Sequence, residues 1–394
     1  MSRRTPIAVA LLAALVLSLL PASASGHTLT RTDGNDTNGP LDVAAVRSTH
    51  TGSAATFRIT THGSFTNSHI DGDNGFVEVD IDTNGDREID FIAVIFYAAG
   101  KMRGVLLRGN GNLVTRSLAA KRVSSRAVQV TVPFSKIGKP KSFDFAVFSF
   151  FAASPCSENR PCVDAVPNRY PLLRQDLTAP TVKWRSVPTY STESGTGLSF
   201  DVAFSVIDDP HGSGVGRWTL QRREVGSSTW VDVKSGTTKR PTVSVPGDEG
   251  ATYQLRVLAQ DKQGNKRFST IRKTTIPYDD ANVEFDYQGD WTGLTGTAGA
   301  FRGTVHVGEQ DAVLSFTVPG GRQLCLLGGT AAGSAAASLT VNGDANGSWT
   351  EGTGTAARDV IGCRNVGSLG STLSVTVTVT SAAAFVVDGI VVVR

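Results

Sequence analysis

A short acidic segment, residues 80–91, holds the side chains of this sequence whose spacing best suits chemistry. The oxygen-bearing side chains of its central loop are Asp82, Asn84, Asp86, Glu88 and Asp90. Four of them stand at positions one, three, five and nine of the loop, with Glu88 in between. Hard cations such as Ca²⁺ bind about six to eight oxygen atoms, which a short acidic turn supplies from alternate side chains. The sequence therefore predicts a structural Ca²⁺ site with these five residues as ligands.

The elements around this loop are predicted to form a β-hairpin. Residues 76–82 alternate apolar and polar side chains, as one strand with a single buried face does. Residues 89–97 are almost continuously apolar, which predicts a strand covered on both faces. Asn84-Gly85 favours a tight turn between the two. A second interpretation stays open: a polar turn without an ion, whose Asp and Asn side chains bond the backbone.

The loop also resembles the calcium loops of the FG-GAP and VCBS type, Asp-x-Asn-Gly-Asp-Gly-x-x-Asp. Residues 82–90 match that pattern at every defined position except one, since Arg87 stands where the family has Gly. The resemblance implies a bound Ca²⁺ that braces a hairpin and takes no part in catalysis. Arg87 brings a positive charge close to the implied site.

The first 26 residues are expected to be a signal peptide. Arg3 and Arg4 precede an apolar run over residues 7–20, and small residues follow at 21–25, as before a cleavage site. The run is shorter than the roughly 20 apolar residues that a membrane span needs, and we find no longer one downstream. We therefore expect a secreted, extracellular protein with no membrane span, released or held non-covalently.

Four cysteines fit an exported chain, because disulfides persist in oxidising surroundings. Three pairings are possible. We favour Cys156 with Cys162 and Cys325 with Cys363, because each pair then lies within one candidate domain. The spacing Cys-x5-Cys is not that of a zinc site.

Charge and composition divide the remaining chain into three candidate domains, residues 27–178, 179–277 and 278–394. The middle one carries 14 Lys and Arg against 9 Asp and Glu, and the last carries 5 against 11. The basic residues of the middle domain alternate along predicted strands, which favours a solvated face over a nucleic-acid groove. Short β-branched runs separated by Gly, Asn, Asp and Ser recur throughout. The fold class predicted is therefore all-β, with three tandem β-sandwich domains after the signal peptide.

The middle domain resembles a bacterial fibronectin type III domain. Its signature Tyr-x-x-Arg-Val-x-Ala-x-Asp-x-x-Gly-Asn is complete over residues 253–265. The resemblance implies a spacer domain, and we expect Trp218 and Trp230 to fill its core. Asp208, Asp209 and Asp261 are interpreted as turn residues that bond nearby amides rather than as a second acidic site.

The two outer domains carry weaker resemblances to modules of secreted actinobacterial proteins. The first has an Asp-x-x-Gly-Pro-Leu-Asp start at residues 36–42 and a Cys-x-Asp-x-x-Pro loop at 162–167. It is similar to extracellular sandwiches of the DOMON and family 9 carbohydrate-binding type. The last has Tyr-x-Gly-x-Trp at residues 287–291 and looks like a C-terminal jelly-roll accessory module.

Two tryptophans of the last domain are the candidate ligand-binding residues, because sugar-binding sandwiches stack exposed aromatic rings on pyranose rings. Trp349 lies in a polar segment, which predicts exposure, whereas Trp291 belongs to a motif whose Trp more often seals a sandwich edge. Motifs for a nucleophile elbow, a zinc protease helix or a phosphate loop do not occur.

We therefore expect a binding protein rather than an enzyme, attached to an extracellular polysaccharide or cell-envelope glycan. A protein-binding or adhesion role is the alternative. A hydrolase with an unrecognised site in the first domain is the third.

Overall fold

The part of the chain that the structure describes consists of β-strands joined by turns, loops and short 3-10 segments. The computed structural model describes residues 28–168, 171–191, 198–210, 212–328, 335–351, 359–367 and 371–394. In these ranges, helical structure is limited to the short 3-10 segments Asn67–Ile70, Phe134–Lys136 and Phe301–Gly303. The all-β prediction is confirmed, and no described helix has the length and apolarity to cross a membrane. The predicted signal peptide, residues 1–26, lies outside the described residues.

The chain folds as two compact units. The first holds the described residues up to Pro180 together with 208–216 and 260–266, and the second holds 181–207, 217–259 and 267–394. The predicted boundaries after residues 178 and 277 stay predictions.

Eleven strands form the sandwich of the first unit. They are β1 (Thr28–Thr32), β2 (Val43–His50), β3 (Ala54–Thr61), β4 (Gly75–Asp82), β5 (Phe91–Ala98), β6 (Lys101–Arg108), β7 (Leu113–Ser124), β8 (Ala127–Pro133), β9 (Ser142–Phe151), β10 (Cys162–Val166) and β11 (Leu173–Asp176). Their order is β1-β2-β3-β8-β7-β6-β5-β4-β9-β10, with β11 also on β9. The first half of β7 pairs with β6 and its second half with β8, so this strand passes from one layer to the other.

Aromatic side chains join the two layers of this sandwich. Phe57 of β3 meets Phe143 and Phe145 of β9 edge to face, with ring centroids 6.0 and 5.1 Å apart. All three are essentially inaccessible to solvent. Burying each such ring stabilises the fold by roughly 1.5–3 kcal/mol relative to exposure.

The middle region has the two-sheet arrangement expected from its resemblance to fibronectin type III domains. Its strands are β12 (Thr181–Ser186), β13 (Ser199–Ile207), β14 (Val215–Glu224), β15 (Val231–Gly236), β16 (Thr242–Pro246), β17 (Thr252–Asp261), β18 (Lys266–Phe268) and β19 (Arg272–Thr275). One sheet is β12-β13-β16, and the other is β15-β14-β17-β18 with β19 also on β17. Trp218 is buried against Phe204, as expected. The expectation that Trp230 fills the core is wrong, because it lies on the outer face of the second sheet beside two arginines.

The last region packs three sheets around an apolar core. Its strands are β20 (Tyr278–Asp279), β21 (Asp286–Gln288), β22 (Trp291–Thr295), β23 (Thr304–Gly308), β24 (Val313–Pro319), β25 (Gln323–Gly328), β26 (Ala336–Val341), β27 (Asp344–Thr350), β28 (Asp359–Asn365), β29 (Thr372–Val379), β30 (Phe385–Val387) and β31 (Gly389–Val393). The sheets are β20-β31-β25-β28, β21-β24-β29-β26-β27 and β22-β23-β30.

Both disulfides form with the local pairing, Cys156–Cys162 and Cys325–Cys363. Cys325 and Cys363 stand directly opposite each other on the neighbouring strands β25 and β28.

Candidate functional site

The face of the first unit's sheet that points away from the core is unusually apolar. β4, β5, β6 and β9 run side by side, and their outward residues alternate with the buried ones. We call this surface the outer apolar face. Its partly exposed apolar members are Phe76, Ile92, Val94, Phe96, Val105, Leu107, Phe148 and Phe150. Val163 of β10 stands opposite Phe150 and is 52% exposed, so the face continues to the sheet edge.

Strand register brings these side chains into rows. Phe76 pairs with Phe150 across β4 and β9, and their rings stack with centroids 5.2 Å apart. Val94 stands between Glu78 on one side and Val105 on the other. Because directly opposite residues share a face of the sheet, the rows make one continuous surface.

Two carboxylates lie in the middle of this face. Glu78 and Asp80 of β4 are flanked by Phe148 and Ala146 on β9 and by Val94 and Ile92 on β5. Burial raises the pKa of Glu78, and burial followed by the Glu78 charge raises the pKa of Asp80 to about 7. The Asp80 Oδ1 atom is inaccessible to solvent and has no hydrogen-bond partner among the described residues. An apolar surface around unneutralised carboxylates is a natural site for a ligand that carries a positive charge.

The expectation that residues 89–97 form a strand covered on both faces is wrong in one respect. Inward residues such as Ala93 and Ile95 are fully buried, whereas the outward Ile92, Val94 and Phe96 keep part of their surface exposed. Sequence reasoning did not identify Glu78 and Asp80 as site residues. One feature of the sequence could have identified them. The outward positions of the neighbouring strand β5 are apolar, so the two acidic residues opposite them lie on an apolar face.

The acidic loop between β4 and β5 is a turn built on Asp82. This side chain is fully buried. Its Oδ1 accepts hydrogen bonds from the amides of Asn84 at 3.1 Å and Gly85 at 2.7 Å, and its Oδ2 accepts one from the Arg87 amide at 2.9 Å. Arg87 has a φ of 75°, in the left-handed region that glycine adopts without cost. The position where the calcium-loop family has Gly thus requires the conformation that favours Gly.

Three of the remaining predicted ligands also accept hydrogen bonds within the turn, whereas Glu88 takes part through its backbone amide. Asn84 Oδ1 accepts from the Asp86 amide and Asp86 Oδ1 from the Glu88 amide, both at 2.8 Å. Asp90 Oδ2 accepts from the amide and hydroxyl of Thr83. Among the described residues, the sets of three acidic side chains with oxygens within 4.8 Å of one another lie elsewhere. These hydrogen bonds are those of a polar turn, and the Ca²⁺ ligand set stays a prediction.

Trp349, the first candidate for sugar binding, is a core residue. It lies in β27 and is only 1% exposed. A Cβ on Gly362 would lie 3.1 Å from its ring, so the indole packs directly on that backbone. The expected exposure is wrong, because the polar segment around it is a strand whose alternation turns this one side chain inward. A buried ring cannot stack on a sugar.

Trp291, the second candidate, is half-buried at the start of β22. Its Nε1 donates a hydrogen bond to the carbonyl of Val313 at 3.2 Å. Its ring meets Tyr287 edge to face at 5.0 Å, and Gly308 lies against it, where a Cβ would come within 2.7 Å. These are the contacts of a residue that seals a sandwich edge.

Asp208 and Asp261 bond nearby amides, as interpreted from sequence. Asp208 Oδ2 accepts from the Gly214 amide at 2.6 Å, and Asp261 Oδ1 accepts from the Asn265 amide at 2.8 Å. The fold also brings the buried Asp176 to them, with one oxygen from each of the three within 4.8 Å of the others. Asp176 itself accepts from the amides of Ser213 and Thr178. Asp209 forms an ion pair with Lys141 at 3.5 Å.

A ladder of aromatic rings and guanidinium groups crosses the outer face of the sheet around β14 and β17. The Arg256 guanidinium lies 4.1 Å from the Trp230 ring centroid and 4.0 Å from that of Phe268. Arg223 lies 4.6 Å from the Trp230 centroid. The Nε atoms of the two arginines donate to Gln221 and Gln254. This ordered, solvent-facing cluster braces the sheet through cation–π contacts.

No protein-family model matches the chain, and a search of curated proteins finds no similar sequence. Solved structures that align with the chain include carbohydrate-binding modules of the β-sandwich superfamily, at 15% identity and a TM-score of 0.28, covering 55% of this chain and 99% of that one. Fibronectin domains FN1–FN3 of chicken CNTN1 align at 10% identity and a TM-score of 0.23, covering 90% and 93%. Domains A168–A170 of titin align at 12% identity and a TM-score of 0.26, covering 65% and 95%. These neighbours are β-sandwich and fibronectin- or immunoglobulin-like proteins, and similarities this low carry no argument about what the chain binds.

Proposed function

We propose that the chain is a secreted binding protein that docks a partner protein on the outer apolar face. The partner places a Lys or Arg side chain against Glu78 and Asp80 and apolar side chains on the surrounding rows. The proposal rests on the position of these two carboxylates. They lie half-buried among Phe, Val and Ile side chains on the side of the sheet opposite the core.

Charge complementarity selects the partner. Burial leaves both carboxylates poorly hydrated and raises the pKa of each, and the Glu78 charge raises the pKa of Asp80 further. A guanidinium or ammonium group between them removes the repulsion and satisfies their oxygens. Contiguous exposed apolar surface in a folded protein marks interaction sites, and such sites combine an apolar centre with a few charges.

The composition of the face favours a protein over a glycan. Pyranose rings stack on planar aromatic faces, whereas half of the outer apolar face is aliphatic, with Ile92, Val94, Val105 and Leu107 on β5 and β6. The glycan hypothesis rested most on Trp349, which is buried. A glycoside hydrolase is the alternative function for this face. It would use the same two carboxylates, since a pair of acidic groups, one with a raised pKa, catalyses glycoside hydrolysis.

The test is a binding assay on immobilised short peptides of apolar residues around a central Arg, Gln or Glu. The purified protein is applied in parallel to cellulose, chitin and peptidoglycan, and labelled glycans are tested for cleavage. We expect retention on the Arg peptides, weaker retention on Gln and none on Glu. Asp80→Asn should reduce the preference for Arg over Gln about tenfold, the effect of about 1.4 kcal/mol.

Val94→Lys places a charge in the centre of the face and should abolish peptide binding. Ser53→Lys, in the exposed turn between β2 and β3 on the other layer of the same unit, adds the same charge and should leave binding unchanged. Urea unfolding of both variants checks that each is folded. Retention on a polysaccharide that Val94→Lys abolishes, without peptide binding, would assign the face to a glycan. Glycan cleavage that Asp80→Asn abolishes would assign it to a hydrolase.

A further inference from the structure

A second acidic cluster of the first unit lies where the start of the chain meets β10. Asp33, Asp36 and Asp42 come from the segment between β1 and β2, and Asp164 comes from the middle of β10. One carboxylate oxygen from each of Asp33, Asp36 and Asp164 lies within 4.8 Å of the other two. Residues more than 120 positions apart in sequence thus share one small volume.

The protein backbone holds Asp164 in place. Its Oδ2 accepts a hydrogen bond from the Val43 amide and its Oδ1 accepts one from the Ala165 amide, both at 2.7 Å. Asp36 Oδ2 accepts from the Asn168 side-chain amide at 2.8 Å. These bonds leave part of each carboxylate available for another partner, because an ionised carboxylate accepts up to about four hydrogen bonds.

The Cys156–Cys162 disulfide supports the same corner. Cys162 begins β10, two residues before Asp164. Gly39 has a φ of 105° and packs on the disulfide, so that a Cβ there would lie 3.4 Å from Cys156 Sγ and 3.1 Å from Phe151. The acidic segment is therefore anchored by covalent and steric contacts before any ligand binds.

The buried Asp42 side chain is a second observation, independent of the acidic cluster, that points to a ligand. It is only 3% exposed, its carboxylate oxygens accept no hydrogen bond from a donor among the described residues, and it meets the carboxylate of Asp164. The Oδ2 atom of Asp33 is also inaccessible to solvent and has no hydrogen-bond partner among the described residues. A buried carboxylate without a donor costs several kcal/mol, so structures retain one only where a proton or a cation satisfies it.

Asp42 adjoins the cluster. The amide of the next residue, Val43, donates a hydrogen bond to Asp164 Oδ2 at 2.7 Å. The His62 amide donates to the Asp42 carbonyl at 2.8 Å, which fixes the backbone at this position.

We propose that Asp33, Asp36, Asp42 and Asp164 bind one Ca²⁺ ion that ties the first strands to β10. An all-oxygen, carboxylate-rich set is the ligand type that Ca²⁺ prefers, whereas Zn²⁺ selects nitrogen and sulfur. The ion supplies the charge that Asp42 lacks in its buried position. This site is separate from the acidic turn at Asp82 and does not depend on the outer apolar face.

The test uses the full mature chain after chelator treatment. Isothermal titration with CaCl₂, MgCl₂ and ZnCl₂ gives affinity and stoichiometry, and thermal unfolding gives the stability that each ion adds. We expect Ca²⁺ to raise the Tm and to bind with a Kd of about 10⁻⁴ M or lower, which is the tight end of the range for extracellular modules or tighter. Asp42→Asn should weaken this binding at least tenfold.

Without an ion the carboxylates repel one another, so we expect Asp42→Asn to unfold at a higher temperature than wild type in chelator and to gain less from Ca²⁺. If Asp42 had a purely structural role, Asp42→Asn should instead unfold at a lower temperature than wild type in chelator. Asp36→Asn removes an exposed ligand and should weaken Ca²⁺ binding tenfold even if Asp42→Asn does not fold. Asp73→Asn, at an exposed carboxylate of the same unit, is the matched control and should leave this affinity unchanged.

Unchanged Ca²⁺ affinity in both Asp42→Asn and Asp36→Asn would overturn the assignment. So would a wild-type protein that binds no Ca²⁺ at millimolar concentration. Binding of Zn²⁺ alone, lost on His62→Gln, would replace Ca²⁺ by a zinc site.

Discussion

Glu78 and Asp80 stand two residues apart on β4, and both carboxylates therefore point away from the core into the outer apolar face. The residues between and beside them, Val77, Val79 and Ile81, are fully buried on the opposite side. One strand thus carries the apolar core on one face and a half-buried charge pair on the other. Such a pair has consequences for stability as well as for binding.

Asp80→Asn should remove a pH dependence of stability. Burial and the Glu78 charge raise the pKa of Asp80 from 3.8 to about 7. The raised value means that the folded protein binds the proton more tightly than the unfolded chain does. The resulting stabilisation is complete below about pH 4 and is lost as the pH rises through 7.

The size of this loss is roughly 2 kcal/mol once the partial exposure of Asp80 is taken into account. Urea unfolding at about pH 4.5 and about pH 7.5 measures it. Wild type should lose more stability between the two conditions than Asp80→Asn does, by that amount. Asp73→Asn, at an exposed carboxylate, is the control. An equal loss in wild type and Asp80→Asn would contradict the prediction.

Trp349→Ala should destabilise the last region by about 3–5 kcal/mol, because truncating a buried aromatic ring leaves a cavity. Trp349→Phe should cost less, since most of the volume is kept. Chemical denaturation followed by fluorescence of the remaining tryptophans measures both. A variant of normal stability that loses ligand binding would restore the sugar-binding interpretation of Trp349.

The two disulfides should contribute unequally. Cys325–Cys363 closes a loop with a sequence separation of 38, whereas Cys156–Cys162 closes one of 6. Loop entropy predicts stabilisation of about 4 kcal/mol for the first and about 2 kcal/mol for the second. Double Cys→Ser variants of each pair, compared by thermal unfolding in non-reducing buffer, should show the larger Tm decrease for Cys325 and Cys363. The reverse order would show that strain or local contacts outweigh loop entropy.

Trp230→Ala should weaken the middle region by about 1–2 kcal/mol, because the ring contacts the guanidinium groups of both Arg223 and Arg256. Arg223→Gln removes only one of these contacts and should cost about half as much. Urea unfolding at low and high salt measures the change. A null effect for both variants would mean that the ladder is an exposed arrangement with no net stabilisation.

The sequence by itself determined the properties that depend on neighbours along the chain. Alternation of β-branched and polar residues predicted an all-β fold, because strand periodicity is local. The turn at Asp82 was also predictable, since a side chain that bonds amides two to five residues away needs no distant partner. The disulfide pairing was predicted because each pair of cysteines lies within one candidate domain.

Tertiary structure alone decided which face of each strand is covered. Trp349 was expected to be exposed and is buried, whereas Trp230 was expected in the core and lies outside it. Successive side chains of a strand point to opposite faces, so a shift of one residue moves a side chain between core and solvent. Val94 and Glu78 share a surface only through the register of β4 and β5. The segment at Asp42 and Val43 meets Asp164 although more than 120 positions separate them, since the start of β2 and β10 come together only in the folded sandwich. Contacts of this kind depend on long-range strand pairing, which no local pattern in the sequence specifies.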